Sequence, residues 1–322
     1  MPTTWNIDIR NILAEKLREE LGTEIYNPYA YGRNRYKGQL HLHTTNSDGD
    51  SSPATVADYY KNALGFHFIV FTDHDYITDG RPYTVEGEFL AFSGCEDDGA
   101  WSDHIVVVGD ITSCSHRGPE WYRTYLMLQS GGIPQIAHPD PDTYGGNINI
   151  MEMLPMAQPK LIELFNKGIR QTAGLSLWDL NLRGGALTWG VAVDDMHVLR
   201  TQAGRGWIVV FADELTKKSI LNAIMRGAFY STTGPELNFE VSGRTITCSS
   251  PTAVRMRAIT AQGLVADVKG GTITYTLKPG DGYVRFEALD ANGKWAWSNP
   301  FIDTQEFFNL RITQKLIEEV LD

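Results

Sequence analysis

Cysteines are scarce in this 322-residue chain, which has only three of them. Cys95, Cys114 and Cys248 show none of the paired spacings of zinc-binding motifs, and their odd number is a poor basis for a disulfide framework. Cys95 stands next to a carboxylate, but we expect it to be a small buried filler rather than part of a metal site.

Basic residues are also few. Lys and Arg total 28 against 39 Asp and Glu, which gives a formal net charge of -11 at pH 7. Because a surface that binds a duplex needs the opposite sign, we predict no long nucleic acid as a partner. Bound divalent cations would cancel some of the carboxylates, so a small anionic substrate is compatible with this charge.

Long apolar runs are missing as well. No stretch reaches the length of a transmembrane span, and residues 1–10 lack the apolar core of a signal peptide. We therefore predict a cytoplasmic protein that has no association with a membrane.

Apolar runs that alternate with helical patterns fill the first two thirds of the chain. Ser52 and Pro53 start an amphipathic helix that stops at Gly65, and a continuous apolar run follows directly. The order strand, helix, strand within about thirty residues is typical of a βα repeat with buried parallel strands. Similar runs lie at residues 104–108, 133–137, 161–165, 187–193 and 207–211, and a further helical pattern lies at residues 216–226.

Short strands separated by glycine turns begin after Gly234 and predict an antiparallel β module. These strands are expected at residues 237–241, 245–248, 254–259, 272–277 and 283–289. Amphipathic helices are predicted near both ends of the chain, at residues 7–21 and 304–321.

Six of the eight histidines lie in short motifs, and three of these six share their motif with an Asp. Imidazole and carboxylate groups bind zinc, manganese and iron, and a site with open positions uses such ions to activate water for hydrolysis. Several motifs directly follow a predicted strand, where α/β barrels place their chemistry. The motifs are His41-Leu42-His43, Ser47-Asp48-Gly49, Thr72-Asp73-His74-Asp75, Gly94-Cys95-Glu96, Asp103-His104, Ile136-Ala137-His138 and Asp195-Met196-His197.

In this order, the motifs of residues 38–235 resemble the polymerase-and-histidinol-phosphatase (PHP) family of metallohydrolases. Residues 215–220 and 227–235, with Trp297-Ser298-Asn299-Pro300, are similar to its CehA/McbA branch. The resemblance implies an α/β fold with a distorted (βα)7 barrel and metals at the carboxyl ends of its strands. The predicted divisions are an N-terminal helix and lead-in loop at residues 1–37, the barrel at 38–235, a small antiparallel β module at 236–303 and a C-terminal helix at 304–322.

The resemblance further implies nine metal ligands and two or three divalent ions, with zinc, manganese and iron as the candidates. The first ion would be held by His41, His43, Glu96 and Asp195. Glu96 would bridge to a second ion, held also by His104 and His138. A third ion would be held by Asp48, His74 and His197. The predicted catalytic residues among them are His41, His43, Glu96, Asp195 and His197.

Three carboxylates that flank these ligands have two interpretations. Asp73, Asp75 and Asp194 either accept hydrogen bonds from the ligand imidazoles or are solvated turn residues. Asp194 stands where the branch has a small residue. His67 and His116 fit no motif, and we predict that they are structural or surface histidines.

Three basic residues are candidates for substrate binding. Residues 166–170, after a predicted strand, resemble the glutamate-and-asparagine segment of the family and place Lys167 and Arg170 near the mouth of the site. Arg200 follows the last ligand. Arginine matches the geometry of a phosphate group, whereas the alternative for all three is an ordinary solvated side chain.

Three functions compete. The leading hypothesis is a metal-dependent phosphoesterase of small, nucleotide-like mono- or diesters, which acts through a metal-bound hydroxide at a di- or trinuclear site. The alternative on the same site is a hydrolase of carbamates, carboxyl esters or amides. A non-catalytic protein with structural zinc is the third, but structural zinc sites are closed cages of four ligands rather than nine.

Overall fold

The computed structural model describes residues 24–99, 104–114, 118, 120–139, 161–167, 173–307 and 310. The predicted helix at residues 7–21 and most of the one at 304–322 lie outside the described residues. At the start of the latter, residues 304–306 form a turn.

Strands predominate in a mixed α/β fold. In chain order they are β1 Ile25–Tyr26, β2 Asn34–Gln39, β3 Phe68–Phe71, β4 Leu90–Ser93, β5 Cys95–Asp97, β6 Ile105–Val108, β7 Ile133–Ile136, β8 Leu161–Asn166, β9 Trp189–Val193, β10 Trp207–Ala212, β11 Phe229–Thr232, β12 Asn238–Ser242, β13 Thr245–Ser249, β14 Ala253–Thr260, β15 Gly263–Lys269, β16 Thr272–Thr276, β17 Tyr283–Asp290, β18 Trp295–Ser298 and β19 Phe301–Asp303.

The helices are short. They are α1 Pro53–Asp58, which continues as a π-helical turn at Tyr59–Ala63, α2 Glu120–Gln129, α3 Ala173–Arg183, α4 Leu199–Gln202 and α5 Lys217–Met225, with 3-10 turns at Pro28–Ala30 and Arg81–Tyr83. The predicted start of α1 is confirmed, since the Ser52 side chain accepts a hydrogen bond from the Thr55 backbone N–H at 3.3 Å. In the described parts of the chain, we find no helix with the length and apolar character needed to cross a membrane.

The strands form three sheets. The largest has eleven strands in the order β1-β19-β17-β18-β11-β10-β2-β3-β4, with β14 joined to β17 and β15 to β14. A second sheet has the order β5-β6-β7-β8-β9, and a third consists of β12, β13 and β16. Strands β2, β3 and β4 are parallel, as are β7, β8 and β9.

The predicted (βα)7 barrel is not confirmed, because no continuous ladder closes a barrel within the described ranges. β5, β6 and β7 are antiparallel, where βα repeats would make them parallel. For β5 and β6 the physical reason is the length of the segment that connects them. β5 ends at Asp97 and β6 starts at Ile105, and this connection is too short for a crossover of a dozen or more residues. The two larger sheets meet at two isolated bridges, Leu42 with Met196 and His74 with Glu96.

The predicted strands of the β module all form, each within two residues of the expected bounds. However, β14 and β17 belong to the large sheet that also contains β2 and β3. The buried Arg285 also ties this region to α3: its guanidinium donates to the half-buried Asp179 at 2.8 Å and to Glu287 at 2.7 Å. The predicted boundary at residue 236 therefore stays a prediction, and strands on both sides of it share one sheet.

Cys95 and Cys114 form a disulfide, contrary to the expectation from the odd cysteine count. Cys95 lies in β5, and Cys114 follows β6, which is antiparallel to β5 and returns the chain to it. This proximity depends on strand pairing, which the cysteine spacing does not reveal. Cys248 is buried and free.

Reduction of this disulfide is expected to lower the free energy of unfolding by about 2–4 kcal/mol, because the bond restricts the unfolded chain. Urea denaturation with and without reductant measures the change, and Cys114→Ser is the control that reductant should leave unaffected. A thiol assay of the unreduced, unfolded protein should find one free cysteine per chain. Three free thiols would contradict the pairing.

Candidate metal centre

The segments that follow β2 and β9 lie side by side. They bring together four predicted ligands, His41, His43, Asp195 and His197. The backbone N–H of His43 donates to Met196 O at 2.9 Å, and that of Asp195 donates to His41 O at 3.1 Å. Because side chains alternate along an extended chain, His41 and His43 point to one side while Leu42 is buried in the core on the other. Both imidazoles can therefore face one ion.

The first group consists of His41, His43, Glu96 and Asp195, which can offer ligand atoms to one ion. His41 Nε2 lies 3.1 Å from both His43 Nε2 and Glu96 Oε2. Asp195 Oδ1 is 3.2 Å from the Nε2 atoms of both imidazoles. Ligand atoms around a tetrahedral ion with bonds of about 2.0 Å are separated by about 3.3 Å, so these four atoms fit a zinc-sized cation.

The other oxygen of Glu96 faces two further imidazoles. Glu96 Oε1 lies 3.0 Å from His104 Nδ1 and 3.0 Å from His138 Nε2. Glu96 thus directs its two oxygens toward different pairs of histidines. This is the arrangement that a carboxylate bridge between two ions requires.

The outer group consists of His43, Asp48, His74 and His197, and it is more open to solvent. The His43 ring stacks against both His74 and His197, with centroid distances of 4.5 and 4.1 Å, and these two rings are 6.1 Å from each other. Asp48 Oδ2 lies 3.3 Å from His197 Nε2 and 3.7 Å from His74 Nε2. The side chain of Asp48 is 56% exposed, whereas that of Glu96 is 1% exposed.

Asp195 Oδ1, a buried atom of the first group, has no hydrogen-bond partner among the described residues. Buried polar atoms are normally paired, so an unpaired oxygen in a cluster of ligand type fits a bound cation. The backbone is also strained here. The three non-glycine residues with positive φ in the described chain are His138, Asp195 and Asp75, which follows His74.

The electrostatics of the first group favour positive charge. Burial alone would lower the pKa of His41, but Asp195, Glu96 and Glu163 outweigh it and hold that pKa well above its usual value. Burial likewise opposes charge on His43, yet Asp195 and Glu96 raise its pKa to about 9. The carboxylates therefore stabilise a cation, whether a proton or a metal ion, at these imidazoles.

Glu163 holds two predicted ligands in place through hydrogen bonds. It was not among the predicted site residues. Its Oε1 accepts from His41 Nδ1 at 2.7 Å, and its Oε2 accepts from the His138 backbone N–H at 2.7 Å. With Nδ1 as the donor, His41 presents the lone pair of Nε2 to the first group. Two signals pointed to it: a carboxylate inside the apolar run at residues 161–165, and the resemblance of the segment after this strand to the glutamate-and-asparagine segment of the family.

Asp73 and Asp194 are neither imidazole acceptors nor solvated. Asp73 is buried and accepts from the Thr44 N–H at 2.7 Å and from the Ser47 hydroxyl at 2.8 Å, which shapes the turn before Asp48. Asp194 is buried and accepts from the backbone N–H groups of residues 204, 205 and 206 at 2.6, 2.6 and 2.9 Å. Both carboxylates therefore organise loops that carry or follow ligands.

The substrate-binding role of Lys167, Arg170 and Arg200 stays a prediction. Lys167 and Arg200 are exposed, and we find no hydrogen bond or ion pair from either to a predicted ligand in the described ranges. Arg170 lies outside the described residues, as does His116. His67 is structural, as predicted, because its Nδ1 accepts from the Lys37 backbone N–H at 3.0 Å.

No family model matches this chain, and no curated protein matches it. Among solved structures, it is similar to a two-domain protein from Bacteroides vulgatus described as containing a predicted PHP-like metal-dependent phosphoesterase. The identity is 15%, the match covers 80% of this chain and 91% of that chain, and the TM-score is 0.48. A second similar structure is an amidohydrolase from Chromobacterium violaceum, with 17% identity, coverage of 51% and 89%, and a TM-score of 0.38. Both TM-scores are below 0.5, so neither likeness carries a conclusion about the family or activity of this chain.

Proposed function

We propose that this protein is a metal-dependent hydrolase of the PHP type, with the nine residues of its motifs as ligands. The observation that carries the proposal is the position of Glu96, whose two oxygens lie 3.0–3.2 Å from two different pairs of imidazoles. A carboxylate in this position can hold two ions close together, which is a common arrangement in hydrolases of esters and amides.

The hydrogen bonds that Nδ1 donates determine which imidazole nitrogen is available to bind a metal ion. His41 Nδ1 donates to Glu163, and His197 Nδ1 donates to the Asp195 carbonyl at 3.1 Å. Each of these two imidazoles therefore keeps the lone pair of Nε2 for a metal ion. Divalent ions bound here would lower the pKa of water and neutralise negative charge that develops on the substrate. The burial of the first group excludes bulk water, while the exposed outer group leaves an approach for a small molecule.

Within this class we propose a phosphoesterase of small phosphate esters. The outer group adjoins the first group through His43, so a third cation can lie next to the other two. Three adjacent cations suit the several negative oxygens of a phosphate group better than the single developing oxyanion of an acyl group.

Carbamate, carboxyl ester or amide hydrolysis is the second candidate. It is supported by the similarity of residues 215–220 and 227–235 to the CehA/McbA branch, which takes its name from carbamate hydrolases.

Hydrolysis of p-nitrophenyl esters distinguishes these activities. Metal-free protein is loaded separately with Zn²⁺, Mn²⁺ or Fe²⁺ and assayed with bis-phosphate, monophosphate, acetate and methylcarbamate esters. We expect turnover of phosphate esters, inhibition by inorganic phosphate and loss of activity with chelator. Turnover of acyl or carbamoyl esters alone would support the second candidate, and no turnover with metal bound would favour a non-catalytic protein.

Three finer proposals accompany this function. We propose that the two sheets form a distorted seven-stranded barrel, supported by the bridges of Leu42 with Met196 and of His74 with Glu96. The CehA/McbA branch remains a proposal from the motifs. A cytoplasmic location also remains a proposal. Disulfides rarely persist in the cytosol, so a thiol assay that finds Cys95 and Cys114 paired would count against this location.

A further inference from the structure

Given the proposed metal centre, we propose that Asp98 positions His74 by accepting a hydrogen bond from its Nδ1. Asp98 is not one of the nine predicted ligands. Its Oδ1 lies 2.5 Å from His74 Nδ1. On the far side of the ring, His74 Nε2 faces Asp48 Oδ2 at 3.7 Å, within the outer group. Asp98 thereby determines which nitrogen of His74 is free to bind an ion.

The contact between Asp98 and His74 has the length of a hydrogen bond. Atoms of two side chains that bind one ion with bonds of about 2.0–2.1 Å are separated by about 2.9–3.4 Å. The atom pairs of the first group lie at 3.1–3.2 Å and meet this condition. Asp98 Oδ1 and His74 Nδ1 lie closer than this, at 2.5 Å, as a donor and an acceptor do.

The strand before Asp98 explains why its side chain reaches the site. In an extended chain Glu96 and Asp98 point to the same side, and Asp97 points to the other. Asp97 is buried against Arg123, whose Nη2 donates to both the carbonyl and the Oδ1 of Asp97 at 2.8 Å. This contact fixes the backbone on one side and leaves Asp98 directed toward His74.

A competing arrangement makes Asp98 a ligand itself. His74, Glu96, Asp98 and His104 can each offer an atom to a common ion, since His74 Nδ1 also lies 3.3 Å from Glu96 Oε2 and His104 Nε2 lies 3.9 Å from Asp98 Oδ1. The two roles differ in their response to asparagine. In an Asp98→Asn variant the side-chain amide oxygen can still accept from Nδ1–H, but a neutral amide is a poor substitute for a carboxylate ligand.

Equilibrium dialysis of metal-free protein against Zn²⁺, with bound metal measured by mass spectrometry, tests the proposal without an activity assay. We expect Asp98→Ala to weaken the binding of one ion by about 10–100-fold and Asp98→Asn to retain most of the affinity. In a His74→Ala background, Asp98→Ala should have no further effect. Asp79→Ala, which removes an exposed carboxylate paired with Arg81, is the matched control and should bind like the wild type. Circular dichroism confirms that each variant is folded.

Three results would overturn the proposal: no change in Asp98→Ala, an equal loss in Asp98→Asn and Asp98→Ala, or an additional loss when Asp98→Ala is combined with His74→Ala. If the wild type binds no Zn²⁺, the proposed function fails as well. If the wild type binds Zn²⁺ and Asp98→Ala binds it equally well, only the role of Asp98 is wrong.

Discussion

Replacing Glu96 by glutamine is expected to weaken the binding of two ions, the one at the first group and the one at His104 and His138. It should also reduce hydrolysis by more than about 100-fold. Residues that only orient ligands typically contribute about 10–100-fold, and a shared ligand should exceed that range. The reason is that Glu96 faces His41 and His43 with one oxygen and His104 and His138 with the other. Bound metal per chain and turnover of the best p-nitrophenyl ester measure the two effects.

Glu88→Gln is the matched control for this substitution. Glu88 is exposed and pairs with Lys61 at 3.0 Å on the surface, so its variant should bind metal and turn over substrate like the wild type. Glutamine has nearly the shape of glutamate, and circular dichroism should show both variants folded. A Glu96→Gln protein with full metal content and activity would contradict the proposed centre.

Replacing Asp194 by alanine is expected to lower the free energy of unfolding by about 3 kcal/mol or more. The carboxylate is buried and accepts from three backbone N–H groups and, at 2.7 Å, from the Tyr60 hydroxyl. Each buried donor left without an acceptor costs about 1–3 kcal/mol. The loop that joins His197 to β10 would lose its anchor, so metal binding by the outer group should weaken as well. Urea denaturation of metal-free protein measures the stability change.

Tyr60→Phe is the graded comparison, because it removes one of these four hydrogen bonds and leaves the loop anchored. It should destabilise the protein by about 1.5–3 kcal/mol, less than Asp194→Ala. Asp194→Asn should lie between the wild type and Asp194→Ala, since the amide retains one acceptor oxygen. Equal stability of Asp194→Ala and wild type would show that the loop does not depend on this carboxylate.

Local patterns predicted the secondary structure well wherever burial is periodic. The capped start at Ser52, the apolar strands before the ligands and the five strands of the β module all form where expected. They were predictable because each depends on residues that are close in sequence. The antiparallel course of β5 to β7 was not, because the apolar run at residues 104–108 looks the same in either direction.

The candidate site also has features that the sequence indicated and features that it did not. The resemblance to the PHP family implied which imidazoles and carboxylates lie together, and the structure brings ligand atoms of His41, His43, Glu96 and Asp195 within 4.8 Å of one another. Their supporting residues were not indicated. Glu163 is 122 positions from the His41 that it holds, and no local pattern encodes that pairing.

The sequence by itself determined the chemistry available to this protein: ligand-type side chains at strand ends, a net negative charge and alternating core residues, all of which follow from local composition and periodicity. Only the tertiary structure decided that Asp98 faces His74, that Asp194 holds a loop instead of a ligand, and that Cys95 pairs with Cys114. These contacts depend on which buried surfaces meet. A buried carboxylate takes whichever donors the packed chain brings to it, because leaving it unpaired costs several kcal/mol, on the order of the net stability of a domain.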